Sequence, residues 1–271
     1  MKLNIYLLLV SLIAINLFAY GQKGFYFKKL SVGYRISEIE AIGRNPFEVS
    51  PLLRDASSYD QFLHDFTYNG YGGNPGPQTV HTFYLNAGLY KPHSYGFWKH
   101  FYLQTGLFIT NQLRTTAGGL DNISLQDSTP DNITYSKTIY SLYHNTQYFG
   151  INLGLNRTTK LAKRLQSTIG LEVQGSVALK HYYKPFLDSG LLRISVGHYE
   201  TVLNEQLPTL QGKHYFQWQI MLPLGIEYEI WKEKFTIRAE VAPAYVHCRY
   251  RNKSFAAGEA HAAGLWFIYN L

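Results

Sequence analysis

Eight ionisable residues of both signs fall where a two-residue period turns them to one side of extended chain: Lys29, Arg35, Glu172, Lys180, Glu227, Glu229, Arg238 and Glu240. Facing a common interior, opposite charges pair, so the expected chemistry is a network of ion pairs and hydrogen bonds that fills that interior. The competing chemistry is a narrow ion path lined by the same groups. The 10 histidines give no His-x-x-x-His spacing and no grouping with Cys. His81, His144, His181, His214 and His247 each fall in a different strand or at its end, so no metal site is expected. Cys248 follows His247, and adjacent strand residues point to opposite faces. The run Tyr143-His144-Asn145-Thr146 sets a hydroxyl two residues from an imidazole. A threonine hydroxyl is hindered, and no acidic group to orient the imidazole can be assigned. No cofactor is expected.

The elements that must position these residues are strands. Period-two alternation and turn residues predict about eight, with room for ten: Phe25 to Ile39, Thr79 to Lys91, Lys99 to Thr116, Ile133 to Asn156, Leu165 to Tyr183, His214 to Trp231, Lys234 to Tyr250, and Gly258 to Leu271. The connections alternate in length. Those after the second, fourth and sixth strands are short: Pro92 to Trp98, Arg157 to Arg164, and the Lys232-Glu233 turn. Those after the first, third and fifth are long: Glu40 to Gln78, Ala117 to Asn132, and Lys184 to Lys213, while the last outer connection, Arg251 to Ala257, is short. Pro223 and Pro243 interrupt neighbouring strands and are expected to mark bulges.

Facing decides the solvent. In the sixth strand Phe216, Trp218, Ile220, Leu222, Leu224, Ile226, Tyr228 and Ile230 share one face, and Gln217, Gln219, Met221, Pro223, Gly225, Glu227 and Glu229 the other. The fifth strand repeats the division, with Ile169, Leu171, Val173, Val177 and Leu179 against Gln166, Thr168, Glu172, Gln174, Ser176 and Lys180. A soluble barrel puts its apolar face inside. A face this polar suits the lumen of a membrane barrel, with the apolar face toward lipid. The expected fold is therefore all-β, a transmembrane antiparallel β-barrel; a lipocalin-like secreted barrel is the structural alternative.

Composition agrees. The chain carries 23 Tyr, 16 Phe and 23 Gly in 271 residues, which suits aromatic girdles and strand bends. The single cysteine can form no internal disulfide, so closure of a sheet is left to hold the fold together. The formal charge of +7 is spread rather than blocked, which argues against a nucleic-acid surface. Many cations lie in short connections, namely Lys160, Lys163, Arg164, Lys232 and Lys234, where they meet anionic lipid head groups or simply solubilise the turns.

At the N-terminus, Lys2 and Asn4 precede an apolar run from Ile5 to Phe18 and the small-residue segment Ala19-Tyr20-Gly21 before Gln22. This predicts a signal peptide over 1–21 and a barrel domain over 22–271. The alternative, an anchoring helix, is disfavoured because the run is shorter than the ~20 residues a span needs. No later segment is apolar for long enough to cross as a helix. At the other end Leu265, Phe267, Tyr269 and Leu271 line one face of a terminal strand.

That terminal strand resembles the C-terminal targeting signal of bacterial outer-membrane barrels, with Leu271 where Phe is usual. The segments Tyr148-Phe149-Gly150-Ile151-Asn152-Leu153-Gly154-Leu155 and Gln219-Ile220-Met221-Leu222-Pro223-Leu224-Gly225-Ile226 resemble the strand motif of the porin-family outer-membrane β-barrel proteins of Bacteroidetes, an aromatic before Ile-Pro-Leu and then Gly or Lys. The resemblance implies an integral outer-membrane barrel and no catalytic motif. By the same resemblance the partners are outer-membrane lipid and the barrel-assembly machinery; the expected barrel is a monomer. The first long loop carries Asp55, Asp60, Asp65, Tyr59, Phe62, Phe66, Tyr68 and Tyr71, a surface for an extracellular ligand or partner protein. The expected role is non-catalytic: a side-chain-filled barrel displaying loops for binding or envelope organisation. A narrow porin-like channel is the second expectation. A lipid A acyl hydrolase is the third, since His144 and Thr146 loosely resemble the His-x-Ser-Asn neighbourhood of lipid A 3-O-deacylases.

Overall fold

The computed structural model describes residues 26–39, 53–54, 78–91, 100–111, 113–129, 132–193, 198–250 and 253–271. The expected signal segment, the loop residues from Asp55 to Tyr71 and the turn from Pro92 to Trp98 lie outside the described residues. The strands are β1 (Tyr26–Ile39), β2 (Gln78–Tyr90), β3 (Phe101–Thr110), β4 (Leu113–Thr129), β5 (Asn132–Ala162), β6 (Leu165–Arg193), β7 (His198–Gln206), β8 (Leu210–Gln211), β9 (Phe216–Met221), β10 (Leu224–Trp231), β11 (Phe235–Tyr250) and β12 (Lys253–Asn270).

Every pairing is antiparallel, and the pairings form a ring. β1 pairs with β12 and β2, β2 with β3, β3 with β5, β5 with β6, β6 with both β9 and β10, these with β11, and β11 with β12. Counting β9 and β10 as one interrupted wall, eight strands close the barrel and leave its wall no edge. The alternation closes it in one sense only. Leu30, Val32, Phe83, Leu85, Ile151, Leu153, Leu171, Val173, Leu224, Ile226, Phe267 and Leu271 are exposed on the outside, while Ser31, Arg35, Asn86, Gln104, Asn152, Glu172, Gln174, Glu227, Arg238 and Glu240 are buried within. This is the inverse of a water-soluble barrel and the architecture of a transmembrane one. Trp231, Phe235 and Tyr269 stack along one rim of the apolar belt, and Trp218, Tyr245 and His247 cluster toward the other.

Two long connections expected as loops are paired strands. β4 and β5 form a hairpin from Leu113 opposite Thr146 to Thr129 opposite Asn132, and β7 runs back along β6 from His198 opposite Arg193. The apolar–polar contrast ends where the strands leave the belt, while backbone pairing continues, so the alternation that marks a strand in the sequence disappears. β4 continues the line of β3 along β5; at the break, Tyr148 N donates to Thr110 Oγ1 at 2.8 Å and Gln147 Nε2 to Thr110 O at 3.1 Å. Within the first long connection, Leu53 is fully buried and bridges Gly212, and Arg54 N donates to Gln211 O at 2.9 Å.

The prolines do not make bulges. Met221 faces Ala244 and Leu224 faces Val241, so the register passes Pro223 and Pro243 unchanged, and only the bonds that their nitrogens cannot donate are lost. Leu222 N donates to Pro243 O at 3.0 Å, which sets the two prolines at one level. A bulge does occur in β6, where Gln147 faces Lys180 but Tyr148 faces Ala178, leaving Leu179 as the extra residue.

Candidate functional site

Six of the eight charges read from the sequence line the lumen as one network. Arg35, 0% exposed, reaches across from β1: its Nη1 and Nη2 donate to Glu172 Oε1 and Oε2 at 2.9 and 2.8 Å, and its Nε to Glu240 Oε1 at 2.6 Å. The two-pronged Arg–carboxylate geometry fixes both groups in orientation as well as charge. Glu240 Oε2 lies 3.2 Å from Arg238 Nε, and Arg238 Nη1 lies 3.7 Å from Glu227 Oε1 and donates to the Tyr102 hydroxyl at 3.1 Å. Glu227 Oε2 sits 3.4 Å from Lys29 Nζ, and its other oxygen accepts from Thr168 Oγ1 at 2.9 Å.

Three cations thus meet three carboxylates, and each carboxylate oxygen has a donor or cation beside it. Amides extend the network upward: Gln174 Nε2 donates to Glu172 Oε1 at 2.6 Å and to the Tyr84 hydroxyl at 3.0 Å, and Gln219 donates to Gln174. Aromatic rings hold the guanidinium groups from their faces. Arg35 lies 4.8 Å from the Tyr84 ring and 5.0 Å from Trp266, and Arg238 lies 4.9 Å from Trp266.

Glycines make room for this filling at two inward positions. A Cβ on Gly33 would stand 2.1 Å from Trp266 Cε3, and one on Gly264 would stand 2.8 Å from Arg35 Cγ. Small residues on β1 and β12 therefore let one indole and one guanidinium lie flat against the wall.

The other two charges lie elsewhere. Lys180 is exposed, because the extra residue Leu179 flips the alternation and turns it outward. Glu229 is half-buried at the end of β10, where its Oε1 accepts from Glu233 N across the turn; Glu233 takes φ 63° there. Leu265, Phe267, Tyr269 and Leu271, expected from the sequence to form an insertion signal, are all exposed on the outer face of β12 and just beyond it. Sequence reasoning missed Trp266, Tyr84 and Tyr102, which sit on the inward alternation opposite the apolar residues that drew the eye.

Above the ion pairs, Tyr148, Tyr215, Val80, Val246, Cys248 and Ala260 form an apolar and aromatic cluster, and the Tyr148 and Tyr215 hydroxyls are hydrogen-bonded. Thr146 belongs to this region. It is 1% exposed, faces His181 in the ladder and hydrogen-bonds the Tyr215 hydroxyl, so its oxygen points into the lumen and away from lipid. His144 lies two residues earlier on β5, opposite Tyr183. Among the described residues no group of three or more His, Cys, Asp or Glu could hold a metal ion. What the arrangement does chemically is to neutralise itself and occupy the space between the walls.

No protein-family model and no curated protein matches the chain. Among solved structures it is similar to the attachment invasion locus protein Ail of Yersinia pestis, seen in complex with the heparin analogue sucrose octasulfate, at 11% identity and TM-score 0.31, covering 92% of this chain and 99% of that one. It is similar also to Neisserial surface protein A, at 9% identity and TM-score 0.31, covering 91% and 96%, and to the P. putida toluene transporter TodX, at 8% identity and TM-score 0.22, covering 92% and 90%. At such scores the barrel rests on its own strand pairing, not on these likenesses.

Proposed function

We propose that the chain is an integral outer-membrane protein whose role is non-catalytic: a closed barrel that carries its hairpins and first long connection outward for binding or envelope organisation. The observation that carries this is the lumen network of Lys29, Glu227, Arg238, Glu240, Arg35 and Glu172, balanced in charge and buried inside a barrel whose outside is apolar. In an eight-stranded barrel the interior is just wide enough for side chains to fill. The C-terminal strand and the two strand motifs support insertion by the barrel-assembly machinery and kinship with the porin-family barrels of Bacteroidetes. The N-terminal pattern supports cleavage of a signal peptide before Gln22.

Single-channel recording of the folded mature protein in planar bilayers tests the closed lumen. No stable conductance steps are expected. Reproducible steps would replace this reading with the narrow solute channel.

A further inference from the structure

We propose that the β5–β6 and β10–β11 turns form a binding site for an anionic phospholipid, its phosphate held by the turn cations and its acyl chains lying on the β10 face. The site rests on the membrane reading above. The two turns are neighbours because β10 pairs with β6 and Glu229 N donates to Arg164 O at 2.9 Å. Lys160, Lys163, Arg164, Lys232 and Lys234 are all exposed in this sector. Two carboxylates lie nearby, Glu229, which accepts from Glu233 N within its own turn, and the exposed Glu233, so five cations outnumber two anions on this surface.

Trp231, 61% exposed, ends β10 at the β10–β11 turn, with Lys234 Nζ 5.8 Å from its ring centre and Phe235, its partner on β11, stacked at 5.9 Å. Directly up the same face run Ile230, Tyr228, Ile226 and Leu224, all exposed. Cationic turns, an interfacial indole and an unbroken apolar strip meet along one wall. A soluble anion would use the first of these and leave the strip to bulk lipid; a two-chain anionic lipid uses all three. Lysine and arginine stems lie along apolar surface while their heads reach phosphate, and arginine can grip it with two donors. Each cation near an anionic surface adds to the attraction, and salt screens it.

The test is native mass spectrometry of the detergent-folded protein offered equal amounts of phosphatidylglycerol and phosphatidylcholine of matched chains. Retention of phosphatidylglycerol should be favoured on the order of tenfold. Replacing Lys163, Arg164, Lys232 and Lys234 by Gln should bring the ratio toward one, and Trp231→Ala should lower it. Lys180→Gln with Lys184→Gln, at the far end of β6, should leave it unchanged. Should the fourfold variant fail to give a heat-modifiable band, salt titration of the wild type decides, with the preference falling as salt rises. The proposal is overturned by a wild-type ratio near one, by a preference that survives the fourfold substitution or is insensitive to salt, or by loss of the lipid to millimolar inorganic phosphate alone, which would mark a simple anion site. Absence of a heat-modifiable band for the wild type would instead sink the membrane-barrel reading on which the site rests.

Discussion

Replacing Arg35 by Met tests whether the lumen is dry. The substitution keeps a long apolar stem between Tyr84 and Trp266 but removes four hydrogen bonds, two to Glu172, one to Glu240 and a weak one to Met221 Sδ. The two carboxylates do not suffer equally. Glu240 retains Arg238 at 3.2 Å, whereas Glu172 keeps, among the described residues, the amides of Gln174 and Asn152, at 2.6 and 3.4 Å. Removing one partner of a buried pair costs about 3–5 kcal/mol, because the remaining charge stays out of water. For a domain of this size that corresponds to a fall of about 10 °C in the folded-to-unfolded midpoint. Urea unfolding from lipid vesicles, followed by tryptophan fluorescence, reads the loss, and heat-modifiable gel mobility reads the midpoint. Adding Glu172→Gln should recover half or more of the loss, since the stranded charge is then gone. Arg35→Met within about 1 kcal/mol of wild type, with no recovery in the double variant, would mean that water already solvates these groups. The filled-lumen argument would then fail and the channel reading would take its place.

Other expectations follow from the same geometry. Gly33→Ala sets a methyl into the Trp266 ring and should cost about 1–3 kcal/mol with a changed near-ultraviolet tryptophan signal; an unaltered midpoint would mean that the indole does not lie there. Leu224→Arg, on the outer face between the Trp218 and Trp231 levels, should cost about 2–4 kcal/mol in vesicles, and a neutral result would place that face out of the hydrocarbon. Pro243→Ala should change stability by less than about 1 kcal/mol and create a slowly exchanging amide at 243, because the register past it is already continuous; a shifted register by cross-strand NMR contacts would contradict that account. Lipid A from cells with and without the protein should have the same acyl chains by mass spectrometry, whereas an acyl loss abolished by His144→Ala would make the barrel a hydrolase.

How far the sequence could be read depends on where a single residue changes the alternation. Along β9 and β10 the expected inward and outward sets match the structure from Phe216 to Ile230, because lipid outside and a polar lumen inside impose opposite demands on successive residues. Those demands stop at the rims, and the hairpins of β4 with β5 and β6 with β7 went unread for that reason. Lys180 shows the finer failure: one extra residue at Leu179 reverses its face, and nothing in the composition of that strand announces the bulge. The partners of Arg35 lie 137 and 205 residues away, on β6 and β11. Alternation specifies that such groups face inward and that their signs can balance. Which carboxylate meets which guanidinium is decided by strand tilt and stagger around the closed ring, and in a lumen this narrow a stagger different by one pair of residues would set Trp266 against a side chain instead of Gly33. The glycines at 33 and 264 are therefore the residues that encode the register of the filling, and the charges follow from where the glycines let the indole and the guanidinium lie.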